Sequence, residues 1–433
     1  MGDGLSHGIP MMPSIGAGGR RYVQLIAGFI AASVCNFLGV VVFSRWLGPA
    51  GYGQLAVFLA VGQTAVYFAT FWATSPLLRF GAEEFQETGS FREVFWGRAL
   101  VLLPCCLCAG WLLWLSRAAW ARLTNLEHLN AWWMAGYVGA IALTQSVRLS
   151  YQTAGRTAVS AGWQALEPAM WLVGVAVAIW TGAVAHPRVV IHAIVVGSAV
   201  VGLASLATLP ASWWWPPVVR HEQVRRLLVF SWPLAIGQVG GYLMTQWVAV
   251  ALLRHWRSLE AVGLFQVAHQ LMGALQQLVL LTVPVTLPLL AGVHGTQRDA
   301  AIHRYLHGTL PKALALFVLT LAGCFLVAHW VVPWWFGAAY REAVILFGVL
   351  LVGLGASGVF VGLTPVLHVE QRNDLVMGGM LVGGLTTLVL DVWLIPRAGT
   401  LGAASASAAG FVACAGVTVG AMVYRPVSAN SAV

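Results

Sequence analysis

Ser44-Arg45-Trp46-Leu47-Gly48-Pro49-Ala50-Gly51-Tyr52-Gly53-Gln54 leads through an apolar run to Leu78-Arg79-Phe80-Gly81-Ala82-Glu83-Glu84. A Gly-rich turn, a helix-length apolar segment and a charged end spell a membrane hairpin. A weaker copy of the plan starts about 210 residues later at Arg254-His255-Trp256, passes Leu259-Glu260-Ala261-Val262-Gly263 and continues, apolar, toward Leu290. The chain therefore reads as built twice.

Composition agrees. Hydrophobic residues make up 59% and charged residues 9%, with a mean hydropathy of +0.80, where a soluble domain carries roughly 25% charged residues. An all-α integral membrane protein is expected, and no polar block is large enough to form a separate core. The net charge of +9 comes from 23 Arg and Lys, of which only Lys312 is a lysine, against 14 carboxylates. In a membrane protein that excess belongs to cytoplasmic loops rather than to a nucleic-acid surface. All six cysteines fall in apolar runs. Cys105 and Cys108 form a CxxC with no further ligand nearby, so small helix residues are expected there, with no disulfide framework, metal or cofactor.

A crossing takes about 20 apolar residues. Twelve segments qualify: 22–43, 52–78, 99–115, 131–150, 158–181, 189–209, 228–252, 262–291, 311–332, 343–363, 376–394 and 402–423. They group into an N-terminal tail (1–21), a six-helix bundle (22–210), a linker (211–227), a second six-helix bundle (228–424) and a C-terminal tail (425–433). The run from Tyr22 to Phe43 is too long for a signal-peptide core and is expected to stay as the first span. Pro76, Pro284 and Pro288 mark expected kinks. With the N-terminus inside, fifteen of the 23 basic residues fall in cytoplasmic connections and eight outside, so both termini are expected in the cytoplasm. Trp132-Trp133, Trp334-Trp335 and Trp213-Trp214-Trp215 fall at expected interfaces and read as anchors. A shift of 216 lays Arg156 on Arg372 and Gly162 on Gly378. The shift spans six crossings, so the halves share an orientation, and parallel halves place a substrate path between them.

Charges at membrane depth mark candidate function. Glu167 lies about ten residues, or roughly 15 Å, into the fifth span, beside Pro168. It is expected as an ion-coupling carboxylate, the alternative being a packing pair with an arginine. Arg148 lies in the inner leaflet of the fourth span. Arg79 and Arg98 stand at the cytoplasmic ends of the second and third spans, flanking the acidic loop of Glu83, Glu84, Glu87 and Glu93. These guanidinium groups suit an anionic lipid head group; interfacial snorkelling is the alternative. In the eighth span His269 is accompanied by Gln266, Gln270, Gln276 and Gln277, and the seventh carries Gln238 and Gln246. Such an uncharged polar stripe suits a sugar path, or else hydrogen bonding between helices. Asp391 is expected at the outer interface. Walker, HExxH and membrane-placed GxSxG motifs are absent, and the outer connections are short, which argues against an enzyme.

The segments Arg45-Trp46-Leu47-Gly48-Pro49-Ala50-Gly51-Tyr52-Gly53, Leu78-Arg79-Phe80-Gly81-Ala82-Glu83 and Leu394-Ile395-Pro396-Arg397-Ala398-Gly399-Thr400-Leu401-Gly402-Ala403-Ala404 resemble, in order, three blocks of the Wzx-type polysaccharide-export flippases. The resemblance implies two pseudo-symmetric six-helix bundles that alternate between faces. It also implies an undecaprenyl-diphosphate-linked glycan as substrate, membrane lipids, a glycan polymerase and a chain-length regulator as partners, and a bacterial inner membrane as the location. A positively charged central cavity would hold the diphosphate and glycan, with Arg148, Arg79, Arg98, His269, Gln246, Gln270 and Gln277 as candidate contacts. Members of the family often carry Asp where Gln246 stands, and Asn near Asp391. Related alternatives are a MATE-type cation or drug antiporter, a lipid II flippase, which has two more spans, and a membrane-embedded glycan-processing enzyme.

Overall fold

A computed structural model describes residues 15–124, 131–280, 282, 283, 286, 290 and 296–424. The kinks expected at Pro284 and Pro288, the end of the eighth span and residues 1–14 and 425–433 of the tails lie outside the described residues.

In hydrocarbon every backbone group must bond within its own segment, so long apolar runs become helices. Helix α1 (Ile15–Thr70) contains the first span and much of the second, and it bends at Gly48. The φ of 68° there suits glycine, and Pro49 follows where a restarting helix needs no N–H. A 3-10 turn at Phe71–Ala73 leads into α2 (Thr74–Thr88). Pro76 cannot donate back to Trp72, and the second span breaks there, as its sequence predicts.

The first half continues with α3 (Arg92–Leu115), α4 (Arg117–Thr124), α5 (Ala131–Thr153), α6 (Thr157–Trp180) and α7 (Pro187–Ala207). A short α8 (Ala211–Trp214) leads to the second half, where the seventh span is broken: α9 (His221–Leu243) and α10 (Gln246–Trp256) meet at 48°. Then come α11 (Leu259–Leu280), α12 (Thr296–Arg304), a π-helical turn at Tyr305–Thr309, α13 (Leu310–Phe336), α14 (Ala343–Val369) and α15 (Asn373–Tyr424), which doubles back at Gly399.

Seven of these helices are long and apolar enough to cross a membrane, and the bent α9–α10 pair makes an eighth. Two of the seven fold back on themselves, at Gly48 and at Gly399, and so cross twice. Two more crossings, α5 and α11, are too polar to pass on hydropathy: α5 carries Thr144, Gln145 and Arg148, and α11 carries Gln266, His269 and Gln270. Twelve crossings in two helical bundles result. An even number places the start of α1 and the end of α15 on one face, called here the terminal face.

The largest buried cluster joins the bundles toward the opposite face, with Phe43, Tyr52 and Leu55 meeting Val250, Leu253 and Phe265. Its centre is the contact between the two repeated turns. The Gly53 α-carbon sits against the Leu259 carbonyl, and the Gly263 α-carbon sits against the Pro49 carbonyl. The two contacts are mirror copies, each glycine meeting the carbonyl four residues before the other. Trp213 departs from its expected anchoring role. It is buried among Phe85, Phe91 and Tyr151 with the Arg156 guanidinium 4.8 Å above its ring, because α8 folds back beneath the first bundle. Trp132 and Trp334 are exposed, as belt residues are.

Candidate functional site: a polar cavity between the bundles

Between the bundles lies a cavity of about 410 Å³. The first bundle contributes Asn36 from the first span, Gln63 from the second, Tyr137 from α5 and Trp171 from α6. Gln63 donates to the Tyr137 hydroxyl at 2.6 Å, which fixes both side chains. Facing them are Gln246 and Trp247 from the first turn of α10, and His269, Gln270, Gln276 and Gln277 from α11. The break in the seventh span explains the placement of Gln246. A helix interrupted at membrane depth is tolerated where it lines a cavity, and the break turns the start of α10 toward this one. The predicted stripe thus reaches the cavity with His269, Gln246, Gln270 and Gln277 together. Gln266 does not line it, and both its amide atoms are buried without a partner. Gln238 is taken up by Tyr67, whose hydroxyl donates to its backbone and side-chain oxygens at 2.8 and 3.0 Å.

The arginines are placed elsewhere. Arg148 lies behind the cavity wall, 3.8 Å from Glu167. Ser198 from α7 donates to the same carboxylate at 3.0 Å, and the Trp171 indole donates to Ser198 at 2.9 Å. Glu167 therefore ties α5, α6 and α7 together. Arg98 is buried and donates to the Ala73 carbonyl at 2.8 Å and to Ser146 at 3.1 Å. It holds α3 against the break in the second span. Arg79 sits at the terminal face, 3.7 Å from Glu83 and 5.0 Å from the Phe230 ring centroid. The positively charged cavity that the family resemblance implies is not what the walls contain. Among the described residues no Arg, Lys, Asp or Glu lines it. Counting along a helix gives the depth of Arg148 and Arg98 but not the neighbour that claims each one.

Contacts join the bundles at both faces. At the terminal face Arg226 of α9 meets Glu83 of α2 at 3.0 Å, and Arg220, the residue just before α9, meets Glu93 of α3 at 3.1 Å. Glu84 accepts from the Glu93 and Val94 N–H groups at 3.0 Å each and so caps α3. Burial pushes its carboxyl up, and these two donors pull the other way. Exposed pairs of this kind contribute little each, so the clasp can open. At the opposite face the glycine contact is joined by Tyr340, which donates to the Ser44 carbonyl at 3.2 Å, and by Arg45, which donates to the Trp334 carbonyl at 2.6 Å.

Beside the cavity an apolar groove of about 710 Å³ runs along the seam between the first span and α11, lined by Ile30, Val34, Leu38, Val41, Leu278 and Leu280. Ser33, Phe37, Ala274 and Gln277 line both spaces. A polar chamber thus adjoins an apolar slot on the lipid side.

Sequence reasoning underrated one residue. Asp391 is 0% exposed and neither carboxylate oxygen has a partner. A span ending at residue 394 puts it near the outer interface, whereas the helix runs on to Gly399, which places Asp391 about 12 Å from the bend.

A family model described as "Polysaccharide biosynthesis protein" matches residues 22–294. The chain belongs to this polysaccharide biosynthesis protein family. No curated protein matches it. Among solved structures, family membership is accompanied by likeness to the lipid II flippase MurJ in an inward closed conformation. That match has a TM-score of 0.73 and 12% identity, over 93% of this chain and 87% of that one. An inward-facing MATE-family multidrug resistance transporter matches with a TM-score of 0.66 and 14% identity, over 93% and 96%. A MOP superfamily transporter from Pyrococcus furiosus, reported with a binding pocket of reversed polarity, matches at 0.62 and 13%, over 94% of each chain. At such identities the likeness shows the fold: this polysaccharide biosynthesis protein has the two-bundle MurJ and MATE architecture.

Proposed function

We propose that this protein is a flippase that moves an undecaprenyl-diphosphate-linked oligosaccharide from the cytoplasmic to the outer leaflet of a bacterial inner membrane. The terminal face is taken as cytoplasmic. The observation that carries the proposal is the junction of the polar cavity with the apolar groove, through Ser33, Phe37, Ala274 and Gln277. A molecule with a sugar head and a hydrocarbon tail needs both spaces at once, and the amide-rich walls suit hydroxyl groups. Alternating access follows from the two closures: the clasp at Glu83 and Arg226 opens while the glycine contact holds, and the reverse. A glycan polymerase and a chain-length regulator at the outer leaflet are the partners that this role calls for. A drug or cation antiporter is disfavoured, because no described carboxylate lines the cavity.

Coupling to an ion, expected at Glu167, is better supported at Asp391. Glu167 is already engaged by Arg148 and Ser198, whereas Asp391 is buried with neither oxygen paired. A carboxylate in that position needs a proton or a cation. Asp391→Asn is expected to leave the fold intact and to remove the dependence of transport on an ion gradient, read by comparing rates with and without an imposed gradient. A variant as gradient-dependent as the parent would exclude Asp391.

The proposal is tested with the purified protein in liposomes containing a short-chain polyprenyl-diphosphate oligosaccharide, followed by its loss of protection from an impermeant lectin or oxidant. Protein-dependent exchange between leaflets is expected. Rates equal to those of empty liposomes would refute it.

A further inference from the structure

The walls of the cavity and the charge of the proposed cargo do not match, and the mismatch narrows the substrate. We infer, resting on the flippase reading above, that the protein accepts only cargo whose charge is neutralised before it enters: a glycan without acidic sugars, on a diphosphate that arrives with its own divalent cation.

The described walls offer neutral hydrogen-bonding groups, chiefly the amides of Asn36, Gln63, Gln270 and Gln277, with the Trp247 indole as a face for a sugar ring. The basic group among them is the His269 imidazole.

Arg148 and Arg98 cannot serve as reserve countercharges. Turning Arg148 into the cavity would strand Glu167, and turning Arg98 would strand the Ala73 carbonyl and Ser146. A buried carboxylate that loses its partner costs more than the new contact returns.

A uronate entering this chamber would leave water for amides, aromatic rings and a single imidazole, with no fixed positive charge among the described walls, and an ion transferred without a countercharge is strongly disfavoured. The diphosphate differs in chemistry. Two adjacent phosphates chelate a divalent cation such as Mg²⁺, which keeps part of its water and is commonly held through phosphate oxygens. An isolated carboxylate holds such a cation only weakly. The diphosphate can therefore cross with its charge matched by its own ion, and an acidic sugar cannot.

The experiment compares two probes in liposomes carrying the full-length protein. Both are short-chain polyprenyl-diphosphate oligosaccharides of the same length, one neutral and one with a single hexuronic acid, each assayed with Mg²⁺ and with excess chelator. The expected pattern is rapid exchange of the neutral probe with Mg²⁺. The uronate probe is expected to move at least about tenfold more slowly, and chelation to slow the neutral probe by a similar factor. If the uronate probe keeps pace with the neutral one, or if chelation leaves the neutral rate unchanged, the inference is overturned while the flippase reading stands. If neither probe moves above empty liposomes under any condition, the flippase reading fails and this inference fails with it.

Discussion

Gly53→Val is expected to reduce translocation by on the order of a hundredfold while leaving both bundles assembled. An added Cβ at Gly53 would overlap the Leu259 carbonyl, and one at Gly263 would overlap the Pro49 carbonyl. The obstacle in each case is backbone, so no rotamer change relieves it. Overpacking of this kind costs about 1–3 kcal/mol or more, and it is relieved only if the bundles separate at the face opposite the termini. The state closed at that face would then be depleted by a comparable factor. Gly263→Val should act alike. The double variant should be little worse than either single one, because both strain the same contact. A thiol placed at Gln270 should become more reactive toward an impermeant reagent added from the outer side. Unchanged transport in Gly53→Val would mean that this contact is not a closure.

Glu167→Gln is expected to destabilise the protein by about 3 kcal/mol, near the low end for breaking a buried pair because Arg148 keeps some exposure. Glutamine can still accept from Ser198, so the loss isolates the charge. Arg148→Gln should cost about as much, and the Arg148→Gln/Glu167→Gln double variant should recover most of the stability, since no buried charge is then left unpaired. Thermal unfolding in detergent measures all three. Transport by the stable double variant should keep its gradient dependence if Glu167 is a tie between α5, α6 and α7. If that dependence disappears, the coupling site is Glu167 after all.

Much of this architecture could be read along the chain, because a bilayer imposes a length on every crossing. Mostly apolar runs of crossing length mark α5 and α11 as spans although both fall short on mean hydropathy, and the polar residues that lower it include His269, Gln270 and Gln277 in the cavity wall. The repeat was also legible, and it proved to have a physical use: the turn at Gly53 and its copy at Gly263 meet each other. Partners in space were not legible. Arg98 and Arg148 look alike in sequence as cations near the inner leaflet, yet one fastens a helix break and the other neutralises a carboxylate. The fold in the seventh span lies at Met244 and Thr245, where neither residue is a proline or a glycine, so it gave no local signal. The depth of Asp391 is not legible either, because apolar character ends near residue 394 while the helix runs to Gly399.

The central claim is that the cavity and its apolar groove carry a lipid-linked glycan between leaflets, and the most direct test is to delete the protein in a cell that depends on it. The account predicts that lipid-linked oligosaccharide builds up in the cytoplasmic leaflet, beyond reach of an impermeant lectin until the membrane is opened, while its synthesis continues. Drug sensitivity with normal surface glycan and no such build-up would contradict it.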